Sequence, residues 1–226
     1  MKIDIITALP DFYKSLNLSL IGKAQENNLV NINIINLYDF GIGIHKSIDD
    51  SPYGGGSGMV LMPEVAKNAI DSVLEESSIL IIPTARGYIY DQTEAKKIAS
   101  AKHLVFLNSR FEGYDERIVD YYIDKGVAVL QYSIGDYILF GSDVATQVIL
   151  ETSIRLLPGV LGNSDSLVIE SFCDGLLEHN SYTRPKIWKN LKVPEVLLGG
   201  NHKKIDDFRL VDSQSRTKKY RPDLFE

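Results

Sequence analysis

Tyr132-Ser-Ile-Gly-Asp-Tyr-Ile-Leu-Phe-Gly-Ser-Asp143 is the stretch on which the reading of this chain turns. It follows a β-type run, 127–132, and leads into a helical pattern over 145–157. Gly135 and Gly141 bracket an apolar wall of Tyr137, Ile138, Leu139 and Phe140. Glycine admits positive φ and close backbone approach, so a strand ending this way offers amides and carbonyls beside an apolar surface. That suits a flat, uncharged base such as adenine. Read alone, the same glycines serve equally to turn a βα loop.

Two earlier strands end alike. Ile79-Leu-Ile-Ile-Pro83 runs into Thr84-Ala-Arg-Gly87, and Leu104-Val-Phe-Leu107 runs into Asn108-Ser-Arg-Phe-Glu-Gly113. Helical patterns over 63–76, 92–101 and 117–124 lie between the strands. The chain opens with a strand over 2–8, helical pieces from Phe12 and over 20–27, and an alternating run, 30–37, that reads as a half-buried strand. Strand alternating with helix predicts a parallel α/β sheet. In such a sheet ligands sit at the carboxyl ends of the strands, so three glycine-containing loops there predict one pocket.

Composition narrows the class. With 226 residues, 44% hydrophobic and 24% charged, the chain is that of an ordinary globular protein. Met1-Lys-Ile-Asp-Ile-Ile-Thr7 lacks a signal-peptide core, and no window approaches the roughly 20 apolar residues of a membrane span. Cys173 is the one cysteine, which excludes an internal disulfide, and with four scattered histidines it leaves no cysteine-based metal cluster. The expectation is a cytosolic protein with no membrane partner. Net charge is −6 but uneven: residues 179–226 carry 11 Lys+Arg against 6 Asp+Glu, leaving 13 against 24 elsewhere. A basic end on an acidic body predicts a local nucleic-acid patch, although a solvated helical face has the same count. Trp188 is expected to anchor the core of a small C-terminal domain.

The segment from Asp39 to Met62 contains His45, Asp49-Asp50 and Pro52-Tyr53-Gly54-Gly55-Gly56-Ser57-Gly58-Met59. Four glycines in five positions do not fill a core. No Gly-Lys-Ser/Thr follows, so this is not a P-loop, and the segment reads as a backbone-lined cradle for a planar or phosphate-bearing ligand.

Pro52-Tyr-Gly-Gly-Gly-Ser-Gly-Met59, Arg110-Phe-Glu-Gly-Tyr-Asp-Glu-Arg117, Ser133-Ile-Gly-Asp-Tyr-Ile-Leu139, Leu157-Pro-Gly-Val-Leu-Gly162, Tyr182-Thr-Arg-Pro185 and Val196-Leu-Leu-Gly-Gly-Asn-His202 together resemble the bacterial tRNA (guanine-N1)-methyltransferases of the TrmD type. The resemblance implies a SPOUT-class α/β fold, a parallel sheet with a C-terminal trefoil knot, over 1–161, an interdomain linker over 162–174 and a helical tRNA-binding domain over 175–226. It implies methyl transfer from S-adenosyl-L-methionine, leaving S-adenosyl-L-homocysteine, to N1 of the guanosine at tRNA position 37. It also implies a homodimer with the site at the subunit interface, and leaves a need for Mg2+ open. Carried over residue by residue, the cofactor falls to Thr84, Gly87, Ser109, Phe111, Gly113, Ser133, Ile134, Gly135, Asp136, Tyr137, Ile138, Leu139 and Gly141. Substrate contacts fall to His45, Asp50, Tyr53, Gly55, Gly56, Gly58, Lys186, Lys189, Asn201, His202 and Arg216. Glu170 matches the general base and Arg155 the arginine directed at O6.

The pattern departs from the family in places. Glu170 stands where aspartate is usual, Ser109 where glycine is, Phe111 where tyrosine is, and Thr84-Ala-Arg-Gly87 where Ser-Pro-Gln-Gly is. These changes alter the pocket lining without removing a charged role. A slow or inactive RNA-binding relative is the alternative they raise.

Overall fold

The structure, a computed structural model, describes residues 1–162, 170–173 and 175–225. The chain forms two compact units, Met1–Gly162 and Asn163–Glu226.

In the first unit the expected alternation of strand and helix is realised. β1 (Lys2–Thr7) is followed by a 3-10 helix, Pro10–Asn17, and by α1 (Ser19–Glu26). β2 (Asn31–Asn36) comes next, then the short antiparallel pair β3 (Asp49–Asp50) and β4 (Val60–Leu61). α2 (Pro63–Asp71), β5 (Ser78–Ile89), α3 (Gln92–Ala99), β6 (His103–Leu107), α4 (Arg117–Asp124), β7 (Ala128–Ser133) and α5 (Asp143–Ile154) complete the unit. Five strands form one parallel sheet in the order β2-β1-β6-β5-β7.

Side chains alternate across the inner strands, as the two-residue period requires. Ile3, Ile5, Leu104, Phe106 and Ile81 pack on one face with α5 residues Ile149, Leu150 and Ile154. Ile6, Val105, Leu107, Leu80 and Ile82 pack on the other with Val65, Ala69 and Ile70 of α2 and Ile118 and Tyr122 of α4. A parallel sheet covered on both faces needs this near-continuous apolar run in its inner strands. β2 is an edge strand, which is why its sequence alternates asparagine with isoleucine.

One cluster of buried polar groups sits at the strand ends. At the amino ends of β1, β5 and β6, His103 Nε2 lies 2.7 Å from Asp4 Oδ2 and its Nδ1 2.7 Å from Ser78 Oγ. Asn33 Nδ2 donates to Asp4 Oδ1 at 2.9 Å. Asp4, read as a break in an apolar run, is therefore fully buried but satisfied.

Several boundaries shift by a few residues, α5 running Asp143–Ile154 where 145–157 was expected, and two shifts have a plain cause. α2 ends at Asp71, where Val73 and Leu74 both donate to the Ile70 carbonyl and tighten the last turn. β5 does not stop at Pro83. It pairs with β7 up to Pro83↔Tyr132, leaves the ladder for 84–87, and rejoins at Tyr88↔Tyr132 and Ile89↔Ser133.

The second unit has a hairpin, β8 (Ile187–Trp188) with β9 (Leu191–Lys192), a 3-10 turn Glu195–Leu198, and one long helix, α6 (His202–Tyr220). Of α6 only Ser213 and Thr217 are buried, and polar bonds hold it: Leu177 N–H donates to Thr217 Oγ1 at 2.8 Å and Asn180 N–H to Asp212 Oδ2 at 2.6 Å. Among the described residues, α6 is the one α-helix of this unit, joined by a second 3-10 turn, Pro222–Phe225. Of the expected linker, 163–169 and 174, with Asp165 and Ile169, lie outside the described residues.

Candidate functional site

β6, β5 and β7 are neighbours in the sheet, so the loops at their carboxyl ends meet. Between them lies a cavity of about 310 Å3. Its wall includes Thr84 and Arg86 from the first loop, Ser109, Phe111, Glu112 and Gly113 from the second, and Ser133 to Gly135, Tyr137 to Leu139 and Gly141 from the third.

Each loop is fixed by a nameable device. Asn108, buried at the end of β6, donates from Nδ2 to the Ile6 carbonyl and accepts at Oδ1 from Thr146 Oγ1 at 2.6 Å. Ser109 and Ser142 then bond reciprocally, which ties the second loop to the start of α5. Gly141 makes that approach feasible, because a Cβ there would lie 2.9 Å from Arg110 Cγ and 3.2 Å from Arg110 Cα. In the third loop Gly135 has φ +149°, a region that disfavours side chains. The Tyr137 ring folds back over it, its hydroxyl donating to the Ile134 carbonyl at 3.0 Å.

Asp143, at the first turn of α5, carries a buried carboxylate that accepts from Thr7 Oγ1 at 2.7 Å and Tyr13 Oη at 3.1 Å, with Arg110 Nη1 3.4 Å away. Burial, together with that carboxylate, pushes the Tyr13 hydroxyl well above the ordinary tyrosine range. Burial also raises the Tyr114 hydroxyl, which lines the cavity. Both hydroxyls stay neutral at physiological pH, Tyr13 donating to Asp143 and Tyr114 accepting from Gln131 Nε2.

The glycine-rich segment does not line this cavity. It braces it: Glu112 N–H donates to the Met59 carbonyl at 2.9 Å, Leu61 N–H to the Gly113 carbonyl at 3.1 Å, and Gly58 lies against the Glu112 side chain. Gly54, Gly55, Gly56 and Gly58 all have positive φ, and around the first three a Cβ would meet open space. Tyr53 is fully exposed, and His45 and Asp50 are exposed beside it in sequence.

Of the residues expected around the cofactor, Thr84, Ser109, Phe111, Gly113, Ser133, Ile134, Gly135, Tyr137, Ile138, Leu139 and Gly141 line the cavity. Gly87 and Asp136 do not. Gly87 sits where a Cβ would lie 2.5 Å from the Gln131 carbonyl, so the glycine lets the first loop close against β7. Asp136 points its charge to solvent as an exposed residue. Phe140, part of the expected apolar wall, is 95% exposed and belongs to a neighbouring cleft with Phe12, Ile138 and Val144. Arg86, Glu112, Tyr114 and Ser142 were missed. Only Glu112 carries a signal in sequence, a carboxylate within the second glycine loop.

Arg155 caps the carboxyl end of α5, partly buried, and Glu170 belongs to the second unit, partly buried as well. In that unit Asn201 is the N-cap of α6, accepting from Lys204 N–H, with exposed His202 next to it. Arg216 does not stand out in solvent: it is half-buried, bonded to Asn180 Oδ1 and stacked 5.6 Å from the Tyr220 ring centroid. Lys186 borders a groove of about 520 Å3 that Arg184 and Arg209 also line. Trp188, expected in a core, is 58% exposed. A unit held by polar bonds along α6 has little apolar interior to receive it.

Residues 1–226 match the family model described as tRNA (Guanine-1)-methyltransferase TrmD. A tRNA (guanine-N(1)-)-methyltransferase of Bifidobacterium longum subsp. infantis is 46% identical over 237 residues, covering 99% of this chain and 88% of its own. The protein of the same description from Nocardia farcinica is 44% identical over 224 residues, with 99% and 96% covered. That from Bacillus cereus is 43% identical over 232 residues, with 100% and 92% covered.

Proposed function

This chain belongs to the tRNA (guanine-1)-methyltransferase family, and we propose that it methylates N1 of the guanosine at position 37 of tRNA, using S-adenosylmethionine held in the three-loop cavity. The observation that carries the reading is that cavity, assembled at the carboxyl ends of three adjacent parallel strands. Its residues fit the cofactor. Ile134 and Leu139 beside glycine-lined backbone suit a flat adenine, and Glu112 and Arg86 supply one charge of each sign for a zwitterionic amino-acid end. Bound there, S-adenosylmethionine supplies an electrophilic methyl group. The relatives' names do not favour the inactive alternative.

The chain's own part is to orient the guanine and manage one proton. N1 of guanine is protonated at neutral pH, so a carboxylate must accept that proton, the role given to Glu170. Negative charge develops at O6 as the proton leaves, and Arg155 is placed in the family pattern to balance it. The extra methylene of Glu170, relative to the usual aspartate, is absorbed by side-chain bending.

Three further features belong to the same reading. The exposed apolar cleft of Phe12, Ile138, Phe140 and Val144 supports a homodimer that completes the site. The tight seat of Gly87 on β7 and of Gly141 on Arg110 supports the knotted threading of the SPOUT class. The exposed lysines of the second unit, Lys186, Lys189, Lys203 and Lys204, support its role in gripping tRNA.

The test is single-turnover methyl transfer to an unmodified tRNA transcript and to one with adenine at position 37, with and without EDTA to read Mg2+ dependence. Transfer only to the guanine transcript is expected. Glu170→Gln should slow it by about 10²- to 10⁴-fold, and Glu170→Asp should stay active. Arg155→Ala should also slow it, and combining it with Glu170→Gln should cost less than the product of the two. Near-normal rates for Glu170→Gln would refute the base, and labelling of the adenine transcript would refute the site of methylation.

A further inference from the structure

Trp188 is the one tryptophan of the chain and stands 58% exposed at the tip of the β8–β9 hairpin. Lys189 and Asn190 make the turn with φ of 48° and 65°, both positive as a two-residue type I′ turn requires. Asparagine adopts that region readily, but lysine does so at a steric cost that glycine would avoid. The turn itself therefore gives no reason for a lysine.

The lysine has another engagement. Its Nζ lies 5.1 Å from the Trp188 ring centroid, within cation–π range. Trp188 pairs across the hairpin with Leu191, 66% exposed, and Val193 N–H donates to the Lys186 carbonyl at 3.0 Å two steps back along the ladder. Strand alternation puts Lys186 and Trp188 on the same face. An exposed indole is thus set beside Lys186 and Lys189, while Lys192, paired with Ile187, faces the other side of the hairpin; Lys186 also lines the groove bordered by Arg184 and Arg209.

We propose that Trp188 is a stacking platform for an unpaired nucleobase of the RNA substrate, with the flanking lysines taking the adjacent phosphates. The proposal rests on the tRNA reading above and adds to it a place where a base outside the reaction centre is held. Single-stranded nucleic acid is the ligand that alternates flat π faces with negative charge at this spacing, and stacking on it tolerates any base. A lipid surface also attracts tryptophan and lysine, but it is flat, whereas Lys186 and Val193 at the base of the hairpin line a concave groove.

Because Trp188 is the one tryptophan, fluorescence of the whole chain excited at the red edge of the indole band, beyond tyrosine absorption, reports on it alone. An anticodon stem-loop RNA should quench it saturably, with the midpoint given by anisotropy of the labelled RNA, and a loopless duplex of the same stem should not. Trp188→Ala should raise the RNA Kd by roughly 5- to 150-fold with an unchanged melting temperature. Trp188→Phe, which keeps a ring, should stay within about 5-fold, and S-adenosylmethionine affinity should hold in both. RNA binding without quenching, or an unchanged RNA Kd for Trp188→Ala in an enzyme that still methylates tRNA, would overturn the stacking role and leave the tRNA reading intact. A blue shift with phosphatidylserine vesicles and no response to RNA would overturn it in favour of a lipid surface. Loss of RNA binding and methyl transfer together in the unmodified protein would sink the tRNA reading and this proposal with it.

Discussion

Ser109 and Ser142 clasp each other. Ser142 N–H donates to the Ser109 carbonyl at 3.0 Å, and Ser109 N–H donates to Ser142 Oγ at 2.9 Å. The pair joins the loop after β6 to the first turn of α5, so the second and third walls of the cavity move together. Asn108 Oδ1, 3.2 Å from the same hydroxyl, extends the clasp to the end of β1 through the Ile6 carbonyl.

Ser142→Ala keeps the backbone half of the clasp and removes the other. Leaving the Ser109 amide without its acceptor costs about 1–3 kcal/mol. The urea midpoint should fall with an unchanged m-value, and calorimetric titration should show weaker S-adenosylmethionine binding. Lost stability with an unaltered cofactor Kd would mean that the clasp serves the fold alone.

Gly141→Ala probes the same junction by volume. The new methyl would press on Arg110 at its Cγ and Cα, and close packing leaves no slack for both loops to yield. Cofactor affinity should drop about tenfold or more, since roughly 1.4 kcal/mol of strain suffices for that. Gly162→Ala, where a Cβ meets nothing within 4 Å, is the control and should leave affinity unchanged.

Salt dependence separates solvated cations from engaged ones in the second unit. Lys203 and Lys204 are exposed at the start of α6, so replacing both with alanine should lower the slope of log K against log[salt] for tRNA by about 1–2. Arg221→Ala should leave the slope alone, because its guanidinium is held by Asp223 through Nε and Nη2. Anisotropy at four salt concentrations measures both; equal slopes for all three proteins would show that Lys203 and Lys204 do not meet phosphate.

Asp115, just ahead of α4, bonds the Arg117 side chain and also accepts from the Arg117 amide at 3.0 Å. The Arg117 guanidinium, then the amide, hold its carboxyl below the usual range. A depressed folded pKa means a contribution fully present above the unfolded value of about 4 and lost as pH falls through the folded value. Arg117 is largely exposed, so solvent screens the ionic part and it contributes little. Asp115→Asn should be less stable than the parent at pH 7, with the gap closing towards pH 3 in denaturation curves. A gap of constant size would assign it to hydrogen-bond geometry instead.

The five sheet strands were legible because both β periodicity and turn chemistry marked them, as in Leu104-Val-Phe-Leu107 followed by Asn108. The three-loop pocket was legible for the same reason. The return of β5 at Tyr88 was not, since Pro83 and Gly87 punctuate the chain like a strand end, and only the pairing partner β7 tells an excursion from a stop. Gly87 comes to the cofactor set through the family resemblance; in the structure it lies outside the cavity wall, and its lack of a side chain lets the first loop close against β7. Trp188 misled through its hydrophobicity, because one sequence cannot tell a small core from a polar-bonded unit. Arg86, Tyr114 and Ser142 lay inside stretches singled out for other reasons, and only folding shows that their side chains meet at the cavity from three different loops.

Thr7 and Asp143, which meet at 2.7 Å, are 136 residues apart in the chain. On the ribosome, β1 leaves the exit tunnel long before the residue that completes its carboxyl end has been translated. Until then the buried hydroxyl of Thr7 has no carboxylate to bond, and the clasp of Ser109 waits for Ser142 in the same way. A nascent chain that stops before α5 therefore lacks the third wall of the cavity, and such long-range closure is slow to form. A ligand of that cavity stabilises only a chain in which all three loops have met.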